Sequence, residues 1–374
     1  MTLARPAHPT PRERDGGDGA PGRAAGPPPA LPRAPRRGAT AVTAAALAAA
    51  LVAAVTAAAM VGSADIAARD VWRVIGAHVL PGGDIEAGTH DAIVWGIRLP
   101  RALLAATVGA SLAVVGTVLQ AVVRNPLADP GLLGGASGAA LGAVTVLLVG
   151  WSPFGTWSLV GAAFLGSLAG YSLALALASH AGTLSPVRLV LAGVAVSYLL
   201  GSLANLLVAT ADNANQVRSV VFWQLGSLAG AQWRTLGIPA AVLAGSLAVV
   251  LFHARTLNAL LAGDETAASL GLRPDAARRR LVVVAALLTA TAVALAGTIA
   301  FVGLVVPHAV RLVAGSDHAR LVPLAALTGA AFLVVADIAA RTVMEPQELP
   351  IGVLTALVGA PLFCLLCRRR LRDT

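Results

Sequence analysis

Residues 281–310 read LVVVAALLTATAVALAGTIAFVGLVVPHAV, a run without a single Asp, Glu or Arg. As one helix rising about 1.5 Å per residue it would extend about 45 Å. That is longer than the roughly 30 Å hydrocarbon core of a bilayer and too short for two full crossings. The stretch predicts one full membrane span followed by a short span broken by Gly and Pro. Irregular backbone is tolerated at membrane depth only where it packs against protein, so this segment predicts a bundle rather than a single anchor.

The composition of the whole chain agrees. Of 374 residues 57% are hydrophobic and 12% charged, with a mean hydropathy of +0.79, whereas soluble domains carry about 25% charged residues. A disordered regulator, a secreted disulfide scaffold and a nucleic-acid reader are excluded as the main reading, despite a formal net charge of +9. All 27 cationic side chains are Arg, because there is no Lys. Cys364 and Cys367 lie in an apolar run with no second ligand pair nearby, which predicts packing and no metal site.

Ionisable landmarks divide the remaining sequence. Residues 41–61 form an uncharged run, span 1, longer than the roughly 7 to 15 residues of a signal-peptide core, although a cleaved leader is the alternative reading. Span 2 runs from Arg101 to Arg124. The uncharged interval from Asp129 to Arg188 holds spans 3 and 4, with a turn near Trp151 to Gly155. Residues 189–211 and 235–254 supply spans 5 and 6, 281–310 spans 7 and 8, and 320–342 and 349–367 spans 9 and 10. The expected fold is thus all-α, a polytopic membrane protein of about ten transmembrane helices spread over residues 39–370. A disordered Pro/Gly/Arg-rich tail, 1–38, precedes it, and a short tail, 371–374, follows.

Ten spans place both termini on one side. With that topology 20 Arg fall in the tails and the loops on that side against 7 on the other, which predicts cytoplasmic termini and a plasma-membrane, multi-pass location. Gly134, Gly138 and Gly142 recur every four residues and predict close helix packing.

Charges retained inside or at the ends of spans carry the functional expectation. Arg98, Arg101 and Arg341 should face outside, either as a mouth for acidic groups or as snorkelling interfacial residues. Asp337, four residues before Arg341, should pair with it on one helix face. The basic loop at about 255–280 contains Gly263, Asp264, Glu265, Ala267, Ala268, Leu270 and Gly271. It predicts short helices in which Asp264 caps an N-terminus, Gly271 ends a turn, and Ala267, Ala268 and Leu270 offer a small apolar face to a partner. Asn125, Pro126 and Asp129 predict a turn. Pro307 and His308, before Arg311, predict a hydrogen-bonded helix end at a cytoplasmic break. Asp317 and His318 predict loop solvation or a secondary partner contact.

Taken in order, these motifs resemble the FecCD family, the permease subunits of type II ABC importers for ferric siderophores, haem and cobalamin. The resemblance runs from about Trp95 to Arg370. It rests on Arg98-Leu99-Pro100-Arg101, Gln120, Asn125-Pro126-Leu127-Ala128-Asp129-Pro130, Trp223-Gln224-Leu225-Gly226-Ser227 and the Gly263–Gly271 loop. Phe301 to His308, Asp337 and Glu348-Leu349-Pro350-Ile351-Gly352 complete it. It implies an inverted pseudo-repeat relating spans 2–5 to spans 7–10, a second permease copy or a related chain, two ATP-binding cassette subunits seated on the coupling loop, and an extracytoplasmic binding protein docked on Arg98, Arg101 and Arg341. It further implies that spans 5 and 10 of two copies line the pathway. Glu348, Pro350 and Gly352 enter as gating or structural candidates.

The energy source has an independent argument. A P-loop needs a Lys at the β and γ phosphates, and this chain has none, so no ATPase site, catalytic residue or cofactor is expected here; Mg-ATP would be bound by a partner subunit. The expected function is a permease importing iron chelates, foremost ferric siderophores, with haem or cobalamin as alternatives of the same mechanism. Membrane lipid is an expected partner and nucleic acid is not. Two readings of other classes are a proton-driven secondary transporter using Asp337 and His308, and a structural membrane subunit.

Overall fold

The computed structural model describes residues 37–370 apart from 63, 81–87, 151 and 181. Residues 1–36, most of the expected tail, and the tail 371–374 lie outside the described residues.

Among the described residues seven helices are long and apolar enough to cross a membrane, and three shorter apolar helices accompany them. In chain order α1 (Arg37–Met60) is span 1 and α2 (Ala68–Val79) is a short amphipathic helix. Next, α3 (Thr89–Ile93) runs through a π-helical turn, Val94–Arg98, into α4 (Leu99–Val122) as span 2. Spans 3 to 6 are α5 (Gly135–Val149), α6 (Thr156–Ala178), α7 (Pro186–Ala209) and α9 (Trp233–Phe252), with α8 (Ala214–Gln224) before the last. The paired short helices α10 (Ala254–Ala262) and α11 (Asp264–Ser269) follow. They precede α12 (Pro274–Ala296), α13 (Val302–Ala314), α14 (His318–Thr342) and α15 (Ile351–Arg370), spans 7 to 10. A two-residue hairpin, β1 (Ser179–His180) with β2 (Thr183–Leu184), joins α6 to α7. Here the face carrying α10 and α11 is the inner face.

The fold is all-α and polytopic, as read from the sequence, with α4 at its centre: nearly every α4 side chain is buried, and α14, α12, α13 and α9 pack around it. Pairings recur between the two halves. α4 packs on α14 as α12 packs on α6, and α5 lies against α6 and α7 as α13 lies against α14 and α15. Each half contains one short span entered through irregular backbone. α5 follows Gly134 at φ 81°, reached from the inner face, and α13 follows Phe301 at φ 67°, reached from the outer face. A left-handed non-glycine residue costs of order 1–3 kcal/mol and persists where its surroundings hold it. A Cβ on Gly359 would come within 2.4 Å of Phe301 Cβ, so α15 closes over that residue. The two irregular entries meet inside the bundle, where a Cβ on Gly303 would stand 2.6 Å from Pro130 Cδ.

Two expectations need correction. Span 2 does not begin at Arg101: its helix starts three turns earlier, at Thr89, so Arg98 and Arg101 lie within a long helix rather than at its mouth. Span 8 is not broken at Pro307, which is buried inside α13; the break precedes it, at Gly297 to Phe301. The glycine stripe does pack helices. A Cβ on Gly138 would lie 2.1 Å from the Gly166 carbonyl oxygen, and one on Gly142 equally close to that of Ala162.

Candidate functional site

At the inner face, α10 turns its Leu257, Ala259 and Leu260 into the core, packed in the same cluster as Leu119 and Val122 of α4. Gly263, at φ 120° and ψ 160°, separates it from α11 in a conformation that only glycine adopts freely, and Gly271, at φ 79°, closes the pair. Asp264 does not cap α11, as the sequence suggests; the N-cap is Gly263, and Asp264 is the first helical residue with its carboxylate turned elsewhere. It accepts from Arg278 Nη2 at 2.7 Å, and Arg124 stands 3.9 Å away. The expected apolar face is also redrawn. Ala267 is fully buried, and Leu272 N–H donates to its carbonyl, whereas Glu265, Ala268 and Leu270 are exposed, Leu270 at 67%.

Arg278 is the residue that organises this face, and the sequence reading missed it. It is 0% exposed, although Arg279 and Arg280 beside it are exposed. Its Nε donates to Val122 O at 3.1 Å, its Nη1 to Leu184 O at 2.7 Å, and its Nη2 to Asp264. Asp275 accepts from Leu184 N–H at 2.8 Å and lies 3.7 Å from the same guanidinium. One side chain therefore ties α11, the inner end of α4, the hairpin and α12 together. A planar fork with fixed donors suits such a junction where a Lys would not. The only sequence signal was an Arg three residues after Asp275, hidden in a triplet that reads as a basic surface.

A second tie joins α10 to α14. Asn258 Nδ2 donates to Asp317 at 2.9 Å, and Asn258 Oδ1 accepts from His318 N–H at 3.0 Å. This donation from Asn258 holds the Asp317 carboxyl below the usual carboxylate range, helped by Ala319 N–H as Asp317 caps α14. Asp317 and His318 thus brace the inner helices instead of lying free in a loop.

The outer end carries the three expected arginines together, turned inward. Arg98 and Arg101 are buried. Arg98 donates to the carbonyls of Ala59, Met60 and Ala64 at 2.7–2.9 Å, and Arg341 to those of Val61 and Ala58 at 3.2 and 3.0 Å. Both therefore clamp the outer end of α1. The expectation that all three present free guanidinium groups to the outside is corrected: the early start of the span-2 helix surrounds them with α1 and α14. Arg101 donates to both oxygens of Asp337 at 3.0 Å and to Glu348 at 3.0 Å. Asp337 also lies 3.3 Å from Arg341 Nε, the pairing its spacing suggests. With Arg101 and Arg341 both engaging it, Asp337 is a neutralising centre for the two guanidinium groups. Glu348 is half exposed and borders an outer cleft of about 300 Å³, lined by Arg101, Trp223, Ser227 and Pro350 among others.

Between these ends the remaining candidates hold the irregular backbone. Asn125 Oδ1 accepts from Leu127 N–H, and Asp129 Oδ1 from Gly131 N–H at 2.8 Å, so the turn through Pro126 leads into a 3-10 turn, Pro130–Leu133. Tyr171 donates to Pro130 O at 3.2 Å and bonds Thr289 at 3.0 Å. Gln120 Nε2 donates to Gly303 O at 3.3 Å and its Oε1 accepts from Arg311 at 3.1 Å, which fastens α13 to α4. His308 lies within α13, away from any helix end. Gly352 N–H donates to Leu225 O at 3.1 Å, and a Cβ there would meet that oxygen at 2.4 Å, so the segment after α8 lies directly on the start of α15 behind Pro350. Cys364 is exposed on α15, against the expectation of packing; the Cys367 side chain lies outside the described residues.

Comparison with known proteins gives a concordant result. The model of the FecCD transport family matches residues 45–369. The cobalamin import permease BtuC of Halobacterium salinarum is 46% identical over 289 residues, 75% of each chain. The hemin transport permease HmuU of Yersinia pestis is 42% identical over 318 residues, 83% of this chain and 91% of that one. A solved structure described as an inward-facing conformation of a metal-chelate type ABC transporter superposes with a TM-score of 0.77 at 30% identity. It covers 88% of this chain and 99% of its own.

Proposed function

The chain belongs to the FecCD transport family, and from that membership we propose that α10 and α11 receive the stroke of a separate ATPase at the inner face while the cleft beside Glu348 receives cargo at the outer face. It is the membrane permease of an ATP-binding cassette importer for iron chelates, haem or cobalamin, and ATP hydrolysis lies in other subunits.

The observation that carries the inner assignment is the junction at Arg278. An ATPase surface seated on exposed Glu265, Ala268 and Leu270 pushes a helix whose first residue, Asp264, is bonded to a guanidinium shared by α4, α12 and the hairpin. Motion of α11 is therefore passed to two central spans. Cargo arrives from an extracytoplasmic binding protein. Because Arg98 and Arg341 serve α1, acidic side chains of that protein would compete with Glu348 for Arg101, the one arginine of the three bonded to a half-exposed carboxylate. Two permease copies, identical or related, form the pathway, with the largely exposed apolar faces of α7 and α15 towards it. The Arg asymmetry puts the inner face and both termini in the cytoplasm.

The cargo is a metal chelate, with the ferric siderophore expected from the sequence as the member tested first. The test is uptake into proteoliposomes holding the permease, its ATPase subunits and its binding protein, with ferric siderophore, haem and cobalamin supplied separately. ATP-dependent accumulation of the siderophore supports the reading. Accumulation of haem or cobalamin alone replaces the cargo, and ATP-independent uptake driven by a pH gradient overturns the importer.

A further inference from the structure

Beside the Arg278 junction lies a second inner-face feature. Gly182, Leu272, Arg273, Pro274, Asp275, Ala276 and Arg279 line a cleft of about 390 Å³ at the start of α12. Arg273 and Arg279 are exposed, as is Arg280 next to them, and none of the three guanidinium groups bonds to another described residue, whereas the acid in the cleft, Asp275, is already engaged by Leu184 N–H and Arg278. Among the described residues the cleft is therefore cationic and unneutralised.

Its position along the helix says what it faces. Arg279, Val283 and Leu287 fall four residues apart on one side of α12, and Val283 and Leu287 are 54% and 36% exposed although the helix is a membrane span. Exposed apolar side chains on a membrane span suit acyl chains, and Arg279 lies one turn nearer the inner face on the same stripe, where a headgroup would follow. We propose that this cleft binds an anionic phospholipid of the leaflet on the α10–α11 side, its phosphate between Arg273 and Arg279 and an acyl chain along Val283 and Leu287. Basic pockets between spans on that side of a membrane suit such headgroups. Arg278, the next residue on the helix, grips Asp264, so lipid at this cleft sits one residue from the link that moves α11.

The test is native mass spectrometry of the full permease–ATPase complex in detergent, with dioleoyl phosphatidylglycerol or dioleoyl phosphatidylcholine added. Each Arg near an anionic headgroup contributes a factor of about five, so wild type should retain phosphatidylglycerol at least about tenfold better than phosphatidylcholine. Arg273→Gln with Arg279→Gln should bring the two lipids level, while Arg273→Lys with Arg279→Lys should keep most of the preference, which separates charge from folding. Equal retention of both lipids by wild type overturns the proposal, as does an undiminished preference in the Gln variant. Loss of the ATPase subunits from the Gln variant with the lipid preference intact assigns the patch to the ATPase and overturns it equally.

Discussion

Arg278 reaches back to Asp264, fourteen residues earlier and on another helix, with 2.7 Å between Nη2 and the carboxylate. The two residues differ in surroundings: the guanidinium has no solvent exposure, whereas the Asp264 side chain is 41% exposed. The Nε and Nη1 of Arg278 donate to the carbonyls of Val122 and Leu184. A negative charge in the first turn of α11 also favours that helix. Displacing α11 must therefore either drag the inner ends of α4 and α12 with it or break the pair.

Asp264→Asn separates these outcomes. The amide keeps an oxygen for Arg278 Nη2 but removes the charge beside a guanidinium with no solvent exposure, so it should cost the permease about 1–3 kcal/mol, while cargo moved per ATP should fall about tenfold or more in the reconstituted importer. Arg278→Gln leaves two buried carbonyls without their donor and should cost about 3–5 kcal/mol, read as a lower unfolding temperature in detergent. Unchanged cargo per ATP in Asp264→Asn would show that the link carries no stroke.

The outer network has an order of severity. Asp337 is buried and faces Arg101 and Arg341 at once, so Asp337→Asn removes the one buried charge that the two guanidinium groups share and should cost about 3–5 kcal/mol. Glu348→Gln, at a half-exposed position, should cost about 1 kcal/mol or less. Thermal unfolding of the two variants checks the ranking, and equal shifts would mean that Asp337 is not the centre. Reversing Arg98 and Arg101 is a poor probe of docking, because it breaks the Arg98 bonds to the outer end of α1 and the Arg101 pairs with Asp337 and Glu348.

How much of this was legible in the sequence follows from what each signal measures. Runs between charges report membrane crossings, and those placed spans 1, 5, 6 and 9 to within a few residues, and the turn between α5 and α6 with them, but began spans 2 and 7 too late. They are blind to helices outside the membrane: α2 and α8 contain Asp, Arg and Gln and read as loops. They also mislocated Arg98 and Arg101, because a charge was taken as a span boundary where the helix in fact continues outward and buries it. At the inner face the composition pointed to the right segment, 255–280, yet could not separate Arg278 from Arg279 and Arg280, since burial of one of three adjacent arginines depends on carbonyls contributed by residues 94 and 156 positions away. The division of Ala267 from Ala268 likewise appears only once α11 is seated on the bundle.

Close helix approach gives a prediction that needs no partner. Gly138→Ala puts a methyl group 2.1 Å from the Gly166 carbonyl oxygen, backbone that cannot turn aside, so α5 and α6 must separate at a cost of about 1–3 kcal/mol. Gly161→Ala, on α6 with nothing within 4 Å, should be neutral or gain up to about 1 kcal/mol from helix propensity. The pair of unfolding temperatures is the measurement; a Gly138→Ala protein as stable as Gly161→Ala would mean that the two helices are not pressed together.

The last prediction concerns the two faces of α11. Leu270 is exposed and Ala267 fully buried, though only three residues separate them. Leu270→Asp should leave the permease as stable as wild type, because a charge there meets water, yet should release the ATPase subunits by removing the apolar contact they would bury. Ala267→Asp should do the reverse in origin: the carboxylate is forced into the core cluster shared with Val122 and Leu257, the permease itself loses several kcal/mol, and any loss of ATPase is secondary. Co-purification and thermal unfolding, run on both variants, distinguish the causes. If Leu270→Asp retained the ATPase at full stoichiometry, the outward face of α11 would not be the seat, and the Asp264–Arg278 link would be left with no stroke to transmit.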